Sequence, residues 1–487
     1  MRTHPHLYEI SAWPWLKAQS ARAGKEITLA NLPADTWDAL EKRGFDCVYL
    51  MGVWQRSAIG RLMARTERGL IGEYDRLLPG WSMADVPGSP YCIQAYEPDA
   101  RMGGWKGLDA VREALASRGM GLVLDFVPNH TGFDHRWIRS NPEYYVQGTL
   151  DHYRLEPQSF RAIEFGDTVR FIACGRDPLF PPWNDVAQLN YFNPATREAV
   201  IGVLRTISEH CDGVRCDMAM LVLNDVFAQT WGSRVDLRWD IPGQEFWPEA
   251  TSRVKMMYLA EVYWDREYQL QQQGFNFTYD KRLLDRLHAG NVEDARGHLR
   301  ADAEYSAKLA RFLENHDEAR SLHQFGHRIR AAAALTFTLP GLRFFFDGQL
   351  EGADVRAPVQ LGRWPRHPDR PDIRDLYERL LKTIDQPLFH DGEWRLLDIR
   401  SAGDGTFNNL IACRWRKGQD FAVIVANLAD HEAQGLADVG DLPDGNGFRL
   451  TDQLADRPCT WARPDLQNGL FVRLGPGDAH LFLVEAT

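Results

Sequence analysis

The helical pattern LDAVREALA at residues 108–116 is followed, after four residues, by the apolar run GLVLDFV at 121–127. The first segment has apolar residues at helical spacing, and the second has the length and composition of a buried strand. Strands and helices alternate in this way over most of the chain. Eight such runs joined by helical crossovers predict a (β/α)8 barrel, with strands at residues 7–13, 45–54, 121–127, 213–218, 256–263, 275–279, 310–315 and 342–346.

Two regions interrupt this alternation. The segment after the third run is rich in aromatic, Pro, Gly and Asp residues and is too long for a simple loop. From about residue 391 onward, the helical patterns end and short alternating runs with Gly and Asp turns replace them. We therefore predict three domains, namely a barrel of residues 1–130 and 189–388, an inserted domain of residues 131–188, and a C-terminal β-sandwich of residues 389–487.

Composition and charge narrow the classes of function. The chain has 487 residues and a formal net charge of −11, which argues against a surface for nucleic acid. Its seven cysteines lack the paired spacing of a disulfide framework or a zinc site. Residues 1–15 have no apolar core of a secretory signal, and no apolar run is long enough to span a bilayer. We expect a cytoplasmic protein with no membrane partner, of undetermined oligomeric state.

Charged side chains stand at the carboxyl ends of the predicted strands, where parallel barrels carry their reactive groups. A charge inside an apolar strand is unfavourable unless it is paired, so ion pairing in the barrel mouth could explain any one of them. Several acids together with an arginine and two histidines at one end of a barrel instead indicate a reaction site. These residues are Asp125, His130, Arg215, Asp217, Glu261, His316 and Asp317.

Asp217 and Glu261 suit the cleavage of glycosidic bonds. They end adjacent predicted strands, which lie roughly 4.7–4.9 Å apart. This spacing resembles the roughly 5–5.5 Å between the carboxyl groups of retaining glycosidases. Arg215 lies on the same strand face as Asp217 and favours its ionised, nucleophilic form. We expect less positive charge around Glu261, which would then keep its proton and act as the acid.

At these segments the sequence resembles the α-amylase family of retaining glycoside hydrolases (glycoside hydrolase family 13). Weaker matches at residues 7–10 and 339–341 extend the resemblance to most of the chain. Its departures from the common pattern indicate a little-characterised subgroup. The motifs that carry the resemblance occur in the family's order: DFVPNH at 125–130, QLN at 188–190, GVRCD at 213–217, EV at 261–262 and ENHD at 314–317.

The resemblance implies a role for each of these side chains. Asp217 is the expected nucleophile, Glu261 the general acid/base, and Asp317 the residue that stabilises the transition state. Asp125 is expected to hold the barrel mouth together through hydrogen bonds. The residues expected to contact the sugar or to orient the nucleophile are Tyr91, His130, Arg215 and His316.

Departures from the family pattern bear on specificity and on metal binding. Gly88 occupies the position, three residues before Tyr91, at which many exo-acting relatives carry an Asp. The run MAML at 218–221 replaces a Lys-His pair whose histidine backbone helps to hold calcium. The resemblance therefore implies no required cofactor. It leaves open whether Asn129 is a ligand of a structural calcium ion. Gln349 stands where a Glu is commoner.

Three functions remain open at this stage. The first is hydrolysis of α-glucosidic bonds in α-glucans or short α-gluco-oligosaccharides. The second is transglycosylation through the same covalent intermediate, with a sugar or a small alcohol in place of water. The third is a non-catalytic homologue that binds carbohydrate or serves a transporter. Such homologues typically lose carboxylates and carry a membrane anchor, whereas this chain keeps all three acids. The sequence does not decide linkage, chain length, or endo against exo action.

Overall fold

The computed structural model describes residues 2–487, in which eight parallel strands close into a barrel. Each strand pairs with the next in the chain, and the eighth pairs with the first. The predicted (β/α)8 barrel is confirmed, because each strand overlaps one of the eight predicted runs. The strands are β1 (His6–Ser11), β2 (Cys47–Met51), β3 (Gly121–Phe126), β4 (Gly213–Cys216), β5 (Met257–Ala260), β6 (Phe277–Tyr279), β7 (Leu309–Arg311) and β8 (Leu342–Phe346).

Helices fill the connections between the strands. The helix Pro194–Ser208 begins after Asn193, whose side chain accepts a hydrogen bond from the Ala195 N–H, and a proline occupies its first turn. Within residues 2–487, no helix is both long enough and apolar enough to cross a membrane. The α-helices are Ala12–Ala23, Asp38–Lys42, Ala58–Thr66, Arg68–Leu77, Gly104–Ala116, Trp137–Ser140, Leu150–Leu155, Pro194–Ser208, Asn224–Trp231, Phe246–Arg253, Glu267–Gln272, Lys281–His288, Val292–Leu299, Ala303–Ala307, Ser321–Phe325, Ile329–Phe337, Pro371–Ile384, Pro387–Asp391 and Arg463–Gln467.

The segment after β3 forms its own antiparallel sheet of five short strands. The apolar core of the barrel continues into this sheet through side chains such as Phe160 and Ile172. We propose residues 131–188 as the bounds of an inserted domain that lies over the carboxyl end of β3. Its strands are His130–Gly132, Gln147–Gly148, Phe160–Phe165, Thr168–Gly175 and Trp183–Gln188.

The C-terminal part of the chain forms two antiparallel sheets around an apolar cluster of their own. The helix Pro387–Asp391 crosses the predicted boundary at residue 389, and the first strand begins at Glu393. We keep 389–487 as the proposed bounds of this domain. The larger sheet contains Glu393–Leu397, Leu410–Lys417, Asp420–Asn427, Gly447–Asp452, Arg457–Ala462 and Ala479–Ala486, and the smaller one contains Ile399–Arg400, Ala433–Ala437 and Leu470–Leu474.

The first part of the long connection after β2, residues 52–98, was not singled out by the sequence patterns. It contains a hairpin of Trp54–Arg56 and Ile93–Pro98 and two helices, Ala58–Thr66 and Arg68–Leu77. This connection packs against the segment that follows β8 in a small apolar cluster separate from the barrel core. The buried members of that cluster are Ala64, Tyr74, Leu78, Val86, Ala357 and Leu361.

Gly341 marks a close approach between the last two barrel strands. Its φ is +111°, and a Cβ added there would lie 2.1 Å from the carbonyl oxygen of Leu309 at the start of β7. We expect Gly341→Ala to lower the free energy of unfolding by roughly 2–4 kcal/mol, measured by urea denaturation. Gly72→Ala is the control, because an added Cβ on that helical glycine meets nothing within 4 Å. Equal stability of Gly341→Ala and the wild type would contradict this packing.

Candidate active site

Arg215 lies fully buried at the carboxyl end of the barrel, between three carboxylates. Its Nη1 donates a hydrogen bond of 2.7 Å to Asp217 Oδ1. Its Nη2 forms ion pairs with Glu261 Oε2, at 2.8 Å, and with Asp317 Oδ2, at 3.9 Å. Neither contact has the geometry of a hydrogen bond. One guanidinium thus brings together the three acids that the sequence singled out.

Strand register explains why Asp217 and Glu261 meet. β4 and β5 are parallel neighbours with Cys216 opposite Ala260, so the next residue of each strand is an acid. The Glu261 N–H continues the pairing by donating to the Cys216 carbonyl oxygen at 3.0 Å. Arg215 lies two residues before Asp217, and their side chains therefore point to the same face of the sheet.

Glu261 keeps its proton to a higher pH than an ordinary glutamic acid does. Its Oε2 accepts a hydrogen bond of 2.7 Å from the Met218 N–H, and its Oε1 accepts one of 2.9 Å from the Tyr263 hydroxyl. Burial raises the pKa of Glu261 to about 7, although Arg215 acts to lower it, and the neighbouring carboxylates raise it further. The expectation of less positive charge around Glu261 is therefore wrong, because the same arginine that contacts Asp217 contacts this residue too.

Asp217 is 7% exposed, and burial raises its pKa above the ordinary value. Arg215 opposes this effect through its charge and its hydrogen bond, in the direction that the sequence predicted. The arginine therefore favours the ionised form of Asp217 without fully cancelling the effect of burial.

Asp317 is more exposed than the other two acids and is linked to a buried histidine. Its side chain is 41% exposed, and its Oδ2 lies 2.9 Å from His316 Nε2. His316 Nδ1 contacts Glu9, a fully buried carboxylate on β1. Burial acts to lower the pKa of His316, but Asp317 and Glu9 raise it well above the ordinary value. Burial likewise raises the pKa of Asp317, but His316 and Arg215 outweigh it and lower that pKa.

Sequence reasoning did not assign a role to Glu9. The sequence could have indicated a role for Glu9, because a single acid interrupts the apolar run LYEI at residues 7–10 and a buried charge needs a partner. Tyr263, which donates to Glu261, was also missed, since it lies two residues beyond the motif at the end of β5.

Tyr91 lies against the same group of residues. Its hydroxyl is 2.5 Å from His316 Nε2, and the two rings stack with centroids 5.3 Å apart. The Arg215 guanidinium lies 5.3 Å from the centre of the Tyr91 ring. His130 is buried at the start of the inserted sheet, against the edge of Trp183, and burial lowers its pKa to about 4. His130 is therefore neutral at pH 7, whereas His316 is charged.

Asp125 holds the barrel mouth, as the family resemblance implies. Its carboxylate accepts hydrogen bonds from the Tyr49 hydroxyl and, at 2.6 Å, from the Gly52 N–H. The Trp54 indole donates to its carbonyl oxygen at 2.8 Å. These bonds tie the end of β3 to β2 and to the connection that follows it.

Asn129 does not fit a calcium site. Its Oδ1 accepts a hydrogen bond of 2.9 Å from Gln188 Nε2, and its Nδ2 donates to Gln188 Oε1 at 3.2 Å. The two amides satisfy each other, whereas calcium prefers several oxygen ligands with carboxylates among them. Within residues 2–487, the one group of three His, Cys, Asp or Glu side chains close enough to share an ion comprises His6, Asp385 and His390.

That group lies at the opposite end of the barrel, where β1 begins. Arg343 Nη1 lies 3.0 Å from His6 Nε2, which must therefore accept, and the proton of the neutral ring stays on Nδ1. Burial also lowers the pKa of His6 well below the ordinary value. The arrangement of donors thus leaves His6 without a free nitrogen lone pair for a metal.

A cavity of about 460 Å³ opens beside Glu261. It is lined by Met218 and Tyr263, the two hydrogen-bond partners of that carboxyl group, and by the aromatic rings of Phe180 and Trp264. Its charged lining residues are Asp177, Glu267, Lys281, Arg282 and Asp285. Acids and bases are mixed there, so the cavity suits a neutral polar molecule with apolar faces better than an ion.

Comparison with known sequences identifies the family. A family model described as "Alpha amylase, catalytic domain" matches residues 88–361, more than half of the chain. The chain belongs to the α-amylase family. The matched region contains all of the carboxylates that Arg215 contacts.

Relatives of known sequence and structure agree with this assignment. "Alpha-amylase 3" of Dictyoglomus thermophilum is 26% identical over 267 residues, which are 50% of each chain. "Alpha-glucosidase" of Schizosaccharomyces pombe is 29% identical over 151 residues, which are 28% of this chain and 26% of that enzyme. The chain thus matches half or less of the length of these curated relatives.

The whole fold resembles a solved structure described as a noncanonic maltogenic α-amylase, AmyB from Thermotoga neapolitana. The TM-score is 0.68 at 18% identity, and the match covers 100% of this chain and 99% of that one. At this identity the likeness concerns the fold alone.

Glu9→Gln tests the contact between Glu9 and His316, the histidine that in turn contacts Asp317. The Glu9 carboxyl group contacts His316 and favours its charged form, so its replacement is expected to lower the pKa of His316, measured by NMR titration of the imidazole. His130 is the internal control, since it has no contact with Glu9 and its pKa of about 4 should not change. An unchanged pKa of His316 would show that Glu9 is not its counter-ion.

Proposed function

We propose that the protein is a retaining α-glycosidase that cleaves α-glucosidic bonds of α-glucans or short α-gluco-oligosaccharides. One observation carries this proposal: the buried guanidinium of Arg215 contacts Asp217 and Glu261 at the ends of adjacent strands. That arrangement supports a carboxyl separation of the retaining type, and the pKa of about 7 gives Glu261 a proton to transfer near neutral pH.

The proposed reaction has two displacement steps. In the first, an Asp217 oxygen attacks the anomeric carbon, the bond from that carbon to the leaving oxygen breaks, and Glu261 gives its proton to the leaving oxygen. In the second, ionised Glu261 takes a proton from water, the water oxygen attacks the anomeric carbon, and Asp217 is released as a carboxylate. One water molecule is consumed and the anomeric configuration is retained.

The remaining residues are proposed to bind the sugar whose bond is cleaved. Asp317, held ionised by His316, is placed to accept hydrogen bonds from sugar hydroxyls that strengthen as positive charge develops on the ring. The Tyr91 ring offers a face for the sugar, and the buried Arg215 orients Asp217 through its hydrogen bond. Neutral His130 is proposed to contact the same sugar.

Transglycosylation is a second candidate, and the cavity beside Glu261 favours it. Phe180, Tyr263 and Trp264 give this cavity aromatic surfaces on which an acceptor sugar can stack. An acceptor bound there would compete with water for the glycosyl group on Asp217. Chromatography after incubation with maltooligosaccharides separates the two, because transfer yields products longer than the substrate.

Replacement of Asp217 tests the nucleophile. We expect Asp217→Ala to lower kcat with a p-nitrophenyl α-glucoside on the order of 10⁴-fold, as loss of a nucleophile does in other enzymes. NMR of the wild-type reaction is expected to detect the α-anomer as the first product. Asp430→Asn is the matched control, since Asp430 is a 78%-exposed carboxylate of the C-terminal domain. Full activity of Asp217→Ala, or a β-anomer as first product, would refute the double displacement.

The pH profile tests the acid. Because Glu261 must carry its proton and its pKa is about 7, we expect kcat/KM to fall above about pH 7. The Tyr263 hydroxyl donates to Glu261 and favours the ionised form, so Tyr263→Phe is expected to raise the pKa and to move this decline to higher pH. Tyr268→Phe, at a tyrosine that is 60% exposed, should leave the profile unchanged. A decline that moves to lower pH in Tyr263→Phe would contradict the assignment.

A further inference from the structure

We propose that the enzyme acts from the non-reducing end of its substrate and accepts only one glucosyl unit on the non-reducing side of the bond it cleaves. The reason is that two segments close the sugar site on the side opposite the cavity. This inference rests on the proposed function and deepens it. The first segment is residues 82–90, from the connection after β2, and the second is residues 355–364, after β8. Together they are called the closing wall below.

The position of the acid sets the direction of the substrate. Glu261 protonates the leaving oxygen, so the leaving group must lie on the side of Glu261. The cavity of about 460 Å³ is on that side, since Met218 and Tyr263 line it and both donate hydrogen bonds to Glu261. The leaving group therefore has room. In the proposed function, Tyr91 and His316 lie against the sugar whose bond is cleaved, so a chain longer than that sugar would extend past them on the other side.

The closing wall adjoins His316 directly. His316 and the segment after β8 line one small space of only about 10 Å³. Ala357, Pro358 and Leu361 line it from that segment, and Ser11, Met51 and Arg56 line it from the barrel mouth. That volume admits about one water molecule and no sugar ring. Arg356, which precedes these residues, is among the cations that lower the pKa of Asp317 against the effect of burial. The wall therefore lies beside the sugar that Asp317 would bind.

The two segments of the wall are fixed to each other. The Gly362 N–H donates to the Asp85 carbonyl oxygen at 2.7 Å, and Arg363 Nε lies 3.1 Å from Asp85 Oδ1. Behind this contact, Ala357 and Leu361 pack into the apolar cluster of the β2 connection. Segments joined by packing, a backbone bond and an ion pair form a barrier rather than an open cleft.

Two glycines lie at tightly packed points of the wall. A Cβ on Gly362 would lie 2.6 Å from the Trp13 ring and 3.0 Å from Pro87. Gly88 has a φ of +96°, and a Cβ there would lie 2.9 Å from the Arg61 backbone. An Asp at position 88 would therefore be strained in this backbone, and the wall closes the site without the Asp that many exo-acting relatives carry there.

The substrates that fit a site closed on one side are short α-gluco-oligosaccharides and α-glucosides with an unmodified terminal glucose. The test compares maltotetraose derivatives whose terminal glucose is either free or capped as a 4,6-O-ethylidene acetal, with products separated by chromatography. We expect the free substrate to release glucose first and to react on the order of 100-fold faster than the capped one. Cleavage of both at similar rates would overturn the inference and leave the proposed function intact. Cleavage of neither substrate would refute the proposed function and the inference with it.

Variants of the wall identify the barrier. Arg363→Ala removes the ion pair to Asp85, and we expect it to raise cleavage of the capped substrate up to about five-fold, the scale of a partly exposed ion pair. Arg366→Ala is the matched control, because Arg366 is exposed in the next stretch of the same loop and forms no ion pair within residues 2–487. Equal cleavage of the capped substrate by both variants would overturn the assignment of the barrier to this contact.

Discussion

The buried guanidinium of Arg215 is the group on which the arrangement of the site depends. It contacts Asp217 and Glu261 and lies within 3.9 Å of Asp317. Three carboxyl groups this close would repel one another and lose hydration without a cation between them. Arg215 in turn could not be buried without acids to pair with it. Each charge in the group is therefore tolerated because the others are present.

The balance of charge suits the proposed reaction. With the acid/base residue protonated, the carboxylates of Asp217 and Asp317 remain beside the sugar that the proposed reaction cleaves. An oxocarbenium-like transition state carries positive charge on the sugar, and fixed carboxylates next to it stabilise that charge. The strands supply these charges, whereas the segments after β2 and β8 border the space around them. Chemistry and specificity are thus carried by different parts of the fold.

The barrel and the central carboxylates could be predicted from sequence because both depend on local patterns. Apolar runs of strand length locate β1 to β8, and an acid that ends an apolar run, such as Asp217, is visible without a structure. The environment of Glu261 could not be predicted, since its contact with Arg215 arises between strands. The amide pair of Asn129 and Gln188 joins residues 59 positions apart, and no local pattern indicates that they satisfy each other.

The connection after β2 also depends on contacts that sequence patterns do not indicate. Its helices and hairpin are short, and its apolar residues, such as Val86, pack against a segment more than 250 residues away in the chain. Nothing near Val86 in sequence indicates that partner. The closing wall therefore depends on contacts between distant parts of the chain and could not be predicted from local patterns. The acids of the site could be predicted, because each of them belongs to a motif within a single strand end.

Trapping of the covalent intermediate tests the central claim most directly. The enzyme would be incubated with 5-fluoro-α-D-glucopyranosyl fluoride, which forms the glycosyl-enzyme and slows its hydrolysis, and the digest would be analysed by mass spectrometry. The account predicts one glycosylated peptide, with the sugar on Asp217. A sugar attached to any other residue, or turnover of the reagent by a mechanism that inverts the anomeric carbon, would contradict it.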